Sequence, residues 1–143
     1  MKFLPAIAFA VPAIAFAVIA PPALAQAVPN PDTFFAFASQ VAANIDRNQA
    51  GVVWDRASPT LKSSQPKDRF LARILDKQQK NGTTVSREWQ SVIRTFGNSG
   101  ADAQRPMVTV TFVVTTNKRL SYNEVIQFVL GQDNLWHTAA YLN

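Results

Sequence analysis

The sequence predicts an α+β domain: three N-terminal helices packed on a four-stranded antiparallel meander sheet. Three observations lead there. Apolar residues recur at helical spacing as far as Asn81-Gly82. Past Gly82 the period changes to alternation, clearest where Val108, Val110, Phe112 and Val114 interleave with Thr109, Thr111 and Thr115. The alternating runs are joined by short polar turns, which suit antiparallel hairpins. Helices first and strands after place the helices on one face of the sheet and leave the other to water or a partner.

The first helix opens at Pro31-Asp32-Thr33, where Asp32 or Thr33 can accept the free amide hydrogens of the first turn. Phe34, Phe35, Phe37, Ala38, Val41, Ala42 and Ile45 define its apolar face, and it ends near Arg47-Asn48. A second, shorter helix covers residues 49–57 and buries Val52 and Val53, with Trp54 as a further packing anchor. Ser58-Pro59 closes it, because the residue before a proline is pushed out of helical geometry. Gln65-Pro66-Lys67-Asp68 opens the third helix, with proline suited to a first turn. Its inward stripe is Phe70, Leu71, Ile74 and Leu75. Lys67, Arg69, Arg73, Lys77 and Lys80 take the other faces, as a solvated surface or one that docks on an acidic partner or lipid heads. Gly82 ends it.

The strands follow as residues 83–96, 106–116, 120–130 and 135–142, separated by a polar loop at 97–105 and by turns at 117–119 and 131–134. The threonines of the second strand line the outer sheet face, a flat surface suited to association, so a homodimer through it is one expectation.

The first 25 residues read as a secretory signal peptide. Lys2 gives a positive start, Leu4 to Ala20 carries no charge, and Ala23-Leu24-Ala25 places small residues before a cut ahead of Gln26. A cut after Ala27 fits as well. The stretch contains PAIAFAV twice in succession, a copied apolar filler that does not recur later. An uncleaved membrane anchor is the rival reading, since a span needs about 20 apolar residues. Four prolines between Pro5 and Pro22 favour cleavage and leave no stable anchor. The organisation is therefore 1–25 signal peptide, 26–31 linker and 32–143 a single α+β domain, periplasmic or secreted.

The whole chain of 143 residues carries 14 basic and 9 acidic side chains. Losing Lys2 leaves 13 basic against the same 9 acidic, a net charge of +4. That suits anionic envelope surfaces, and export excludes nucleic acid as a partner. Cysteine is absent, so the domain is stable through its core alone, and thiol chemistry is excluded. No cofactor is implied. His137 is the only histidine, and a metal site needs three or four convergent ligands. It reads as a solvent-facing strand residue, with no Gly-x-Ser-x-Gly elbow to supply a nucleophile.

Several short segments together carry a resemblance. Asp46-Arg47-Asn48-Gln49 precedes Trp54-Asp55-Arg56-Ala57-Ser58-Pro59; Ser86-Arg87 and Glu124-Val125 lie in strands; Asp133-Asn134-Leu135-Trp136 leads to Ala140-Tyr141. Over residues 33–142 the chain resembles the small exported bacterial proteins of domain of unknown function 4019. That resemblance implies a cystatin-like or nuclear-transport-factor-2-like cone, in which a curved sheet wraps a long helix. It implies no activity. Asn134 stands where a turn glycine is common, a tolerable change because asparagine accepts left-handed geometry. Ala140 stands where a glycine commonly precedes the tyrosine.

Tyr122, Glu124, Ile126, Phe128 and Leu130 share one face of the third strand, the face beneath the helices. A lone carboxylate there is costly unless paired or protonated. Arg87, on the face of Val85, Trp89 and Ile93, is the partner expected for Glu124, with Tyr141, Tyr122 or Trp89 nearby. The pair reads as a rim ion pair in water, a buried bridge, or a ligand site built from Arg87, Trp89, Tyr122, Glu124 and Tyr141, with no catalytic residue assigned. Two functions follow. One is an exported, non-enzymatic module that binds a protein partner or a small amphipathic ligand. The other is a small isomerase or dehydratase with Glu124 as acid/base. The compartment is directly testable: intact mass of the exported protein should match a chain starting at Gln26 or Val28. A membrane-bound form that retains Met1 overturns the signal peptide.

Overall fold

The computed structural model describes residues 30–98 and 100–143. The expected signal peptide and residues 26–29 of the expected linker lie outside the described residues. Four helices precede the sheet: α1 (Pro31–Asp46), α2 (Ala50–Asp55), α3 (Pro59–Ser64) and α4 (Lys67–Asn81). The strands are β1 (Thr84–Phe96), β2 (Pro106–Thr116), β3 (Ser121–Leu130) and β4 (Trp136–Leu142). They pair antiparallel in the order β1-β2-β3-β4, the expected meander.

α1 begins one step earlier than expected. Asn30, not Asp32 or Thr33, is the cap, and its side chain accepts from the Asp32 amide at 3.2 Å. Pro31, with its backbone angle preset for a helix, fills the first helical position. Phe34, Ala38, Ala42 and Ile45 are buried along α1. Phe35 and Phe37 lie at the margins of that stripe and stay partly open to solvent.

The expected three helices become four at Ser58-Pro59. This dipeptide does end the preceding helix, but it also starts α3: Ser58 is the cap, accepting from the Leu61 amide at 3.2 Å, and Pro59 is the first helical residue. The chain here also protects the sheet. Ala57 bridges Thr138, and the Ser58 amide donates to the Thr138 carbonyl at 2.9 Å, covering part of the β4 edge. Two residues of the expected apolar stripes face out: Val52 on α2 and Leu75 on α4 are 41% and 52% exposed. Val53, Phe70 and Ile74 carry the packing instead.

In β2 the inward row is Val108, Val110, Phe112 and Val114, none more than 1% exposed. Irregular pairing breaks the alternation of β1 between Trp89 and Ser91. Arg87 and Trp89 oppose the buried Val114 and Phe112, whereas Ile93 opposes the outer Thr109. The expected shared face of Arg87 and Ile93 is corrected by that bulge, which inserts one residue and exchanges the faces beyond it. Asn134 has a φ of 60°, the left-handed geometry foreseen for it. Gly82 has a φ of 87°, and a Cβ there would lie 2.2 Å from Asn117 Oδ1. That oxygen accepts the Thr83 amide at 3.1 Å, so glycine is required where α4 gives way to β1.

At one end of the sheet the core is aromatic. Phe34 stands edge-on to Trp136 with centroids 4.7 Å apart, and it also meets Phe37 and Phe128. Truncating it leaves a cavity among rings that cannot collapse onto one another. Phe34→Ala should therefore lower unfolding stability by about 3–5 kcal/mol, read from chemical denaturation.

Candidate functional site

At the other end of the sheet, the inward face turns polar. Along β3 the inward row runs from Phe128 through Ile126 to Glu124 and Tyr122. Glu124 is 1% exposed, so its charge must be answered by the protein. Arg87 answers it with two parallel hydrogen bonds: Nε donates to Oε2 at 2.6 Å and Nη2 to Oε1 at 3.3 Å. Tyr141, on the neighbouring β4, donates its hydroxyl to Oε1 at 2.5 Å. The expected pairing of Arg87 with Glu124 is present, and it is a buried bridge.

The guanidinium is shared. Its Nη1 donates to Asp46 Oδ2 at 2.9 Å and Nη2 to Asp46 Oδ1 at 3.3 Å. Thr84 adds a hydroxyl to Asp46 Oδ1 at 3.2 Å. Four of the five N–H donors of Arg87 are thus committed to two carboxylates. Burial alone would lower the Arg87 pKa, but hydrogen bonds to Asp46 and Glu124 outweigh it, and the net effect is a rise. Arg87 is permanently charged.

Burial also raises the Tyr141 pKa, with the adjacent Glu124 carboxylate adding to the effect. Tyr122 is raised for the same two reasons, burial first. Both hydroxyls remain protonated where an exposed tyrosine would ionise.

An open cleft of about 370 Å³ lies beside this network, between the end of α1, α4 and the sheet. Glu124, Asp46, Tyr122 and Tyr141 form its floor, and Gln78, Gln79 and Leu75 of α4 face them. Gln78 is fixed by its own bond from Nε2 to the Ile45 carbonyl, 2.8 Å.

Four of the five residues singled out from the sequence, Arg87, Tyr122, Glu124 and Tyr141, therefore meet at one place. Trp89 does not join them. It lines a separate apolar hollow of about 290 Å³ with Pro31, Phe35 and Val92. Asp46 is the residue that the sequence reading missed. It ends α1, where a carboxylate opposes the helix dipole. An acid at that position needs a cation from elsewhere, which is the signal that could have found it.

His137 is more tied down than a solvent-facing strand residue. Its Nε2 lies 2.9 Å from Asp133 Oδ2, and its Nδ1 is 3.3 Å from the Arg56 carbonyl. The hydrogen bond from His137 lowers the Asp133 pKa. The pair braces the β3–β4 turn. Among the described residues no group of three or more His, Cys, Asp or Glu side chains converges as a metal site. Among them, too, no helix is long and apolar enough to cross a membrane.

A curved four-stranded meander wrapped over a long helix, with its polar network at the open end, is an α+β cone of the NTF2-like kind. A crystal structure from Campylobacter jejuni, provisionally described as an NTF2-like transpeptidase, superposes with a TM-score of 0.50. It covers 78% of this chain and 99% of its own at 12% identity, a likeness of fold alone. The chain belongs to the family described as Protein of unknown function (DUF4019), which matches residues 37–141. No curated protein matches it.

The two tyrosines are the only ones in the chain, which makes the network spectroscopically accessible. Their raised pKa values mean that the folded chain keeps protons that the unfolded chain releases above about pH 10. The stability they contribute is complete below that pH and is lost progressively as pH rises from there through their raised folded values. In an alkaline titration tyrosinate absorbance should stay low until unfolding. Tyr141→Phe should cost about 1–3 kcal/mol at neutral pH, and its deficit relative to wild type should shrink above pH 10.

Proposed function

We propose that the processed chain is an exported, non-enzymatic binding module whose cleft beside Glu124 holds a small ligand. The observation that carries this reading is the engagement of both oxygens of Glu124. A general base must turn a free lone pair toward its substrate, whereas Glu124 accepts two bonds from Arg87 and one from Tyr141, which fill three of its roughly four acceptor positions. The cleft offers room at the edge of a fixed wall. Export rests on the N-terminal sequence, and a periplasmic or extracellular ligand or partner follows from it.

The alternative is a small isomerase or dehydratase with Glu124 as acid/base, and the volume beside the carboxylate is the observation that favours it. Its chemistry would require Arg87 or Tyr141 to release Glu124 during each turnover. The transpeptidase description of the Campylobacter jejuni protein gives a third possibility, acyl transfer. That chemistry needs an activated nucleophile. This chain has no cysteine, and its only histidine is engaged by Asp133 and the Arg56 carbonyl.

The test is native mass spectrometry of the processed protein after incubation with the small-molecule fraction of an envelope extract. Wild type should retain a ligand and release it with unchanged mass. Leu75→Trp, which fills the cleft from its exposed lip, should lose the ligand while staying folded. New product masses that disappear in Glu124→Gln would establish the enzyme and overturn the module.

A further inference from the structure

The geometry points to a neutral, hydroxyl-rich small molecule of the saccharide class as the occupant of this cleft, an inference that rests on the binding reading above. The walls discriminate among ligand classes by charge and by hydrogen-bonding capacity.

An anion is opposed on entry. Asp46 and Glu124 both face the cleft, and no lysine, arginine or histidine lines it. A cation is poorly served as well, because few acceptor positions stay open on the two carboxylates, about one on each. Both oxygens of Glu124 and both of Asp46 already accept from Arg87, and Tyr141 and Thr84 supply further donors. The guanidinium also places a fixed positive charge against both carboxylates. An apolar ligand would strip water from the polar lining without replacing the lost hydrogen bonds.

What remains available are groups that donate and accept together. The carboxamides of Asn48, Gln79 and Asn143 line the cleft, as does Thr83. A carboxamide offers one acceptor and an NH₂ donor side by side. Adjacent ring hydroxyls present the complementary pair, which no single-charge ligand does.

A second observation is independent of the lining chemistry. Asn143 Oδ1 is buried and has no hydrogen-bond partner. A buried acceptor left unmatched is costly, so the Asn143 carboxamide gains by turning toward the cleft, where a ligand hydroxyl supplies the donor. Leu75, half exposed at the lip, gives a hydrocarbon surface for the C–H face of a ring. At about 370 Å³ the volume falls within the size range of small-molecule sites.

The test is a titration of ¹⁵N-labelled processed protein, following the side-chain amides of Asn48, Gln79 and Asn143. The neutral probes are glucose, N-acetylglucosamine and cellobiose. Spermidine, glucose 6-phosphate and octanol represent the cationic, anionic and apolar classes. At least one neutral saccharide should shift these amides saturably, with affinity at least about tenfold above the other three probes, a difference of about 1.4 kcal/mol. Gln79→Ala should weaken that saccharide about tenfold and leave the thermal midpoint within about a degree of wild type. Saturation by spermidine, glucose 6-phosphate or octanol with the saccharides silent overturns the ligand class and keeps the binding module. Silence toward every probe overturns the class too. The module itself is then decided separately, by whether a retained ligand appears in the mass spectrum and disappears in Leu75→Trp.

Discussion

A carboxylate under a sheet has to be neutralised where it stands, and the polar end of this domain is organised around that requirement. Removing Glu124 from water costs several kcal/mol if nothing answers it. Arg87 answers it from across β2: Arg87 is level with Val114, Glu124 with Phe112. The guanidinium therefore reaches diagonally over an apolar strand, which suits its long side chain. By engaging Asp46 as well, it joins the last residue of α1 to β1 and β3, while Tyr141 brings in β4. One side chain thus sets how the long helix lies over the end of the sheet. Lysine would not replace it, since an ammonium cannot form two parallel pairs of bonds in fixed planes. Buried ion pairs are weak sources of net stability; the contribution here is to position.

The bonds that make Glu124 tolerable also hold it in place, with three of its roughly four acceptor positions taken. An acid/base residue needs a proton site that opens and closes during reaction, and donors from Arg87 and Tyr141 occupy the oxygens of Glu124 in the resting state. A structural carboxylate and a catalytic one are thus distinguished by their hydrogen-bond partners more than by their burial. The cleft borrows the network as a rigid floor. The groups the network does not consume are the amides of the α1–α2 turn, of α4 and of the segment beyond β4, and the proposed selectivity rests on them.

The sheet was legible because two physical rules agree over a long stretch: alternation, and turns short enough to force antiparallel neighbours. Glu124 was legible for a related reason, as a charge in a row of otherwise apolar inward positions. What escaped were features that depend on tertiary context. Ser58-Pro59 is the exception: it ends one helix and begins another through local signals, serine as the cap and proline in the first helical position. The irregularity between Trp89 and Ser91 leaves no mark in the pattern of β1, so alternation alone puts Ile93 on the wrong face. Leu75 was placed in the core because helical spacing cannot tell a stripe that is fully covered from one that runs out past the edge of the sheet. Asp46 was the recoverable miss, since a carboxylate ending a helix already calls for a cation.

The two ends of the cone differ in chemistry. Around Phe34 the rings of Phe37 and Trp136 pack edge against face and that of Phe128 lies tilted, which makes that end stiff. Moving along the same strand faces, Phe128 gives way to Ile126 and then to Glu124, while Trp136 gives way to Tyr141 on β4. Each step keeps the inward direction and changes only the chemistry. The stiff aromatic end can therefore anchor α1 while the polar end presents a fixed hydrogen-bonding surface to the cleft. The aromatic end has hollows too, one of about 210 Å³ between Phe37, Phe128 and Trp136, but the rings supply few hydrogen-bonding groups. At the polar end Glu124, Asp46 and Gln78 are already held by hydrogen bonds, so folding has met the ordering cost of that part of the wall.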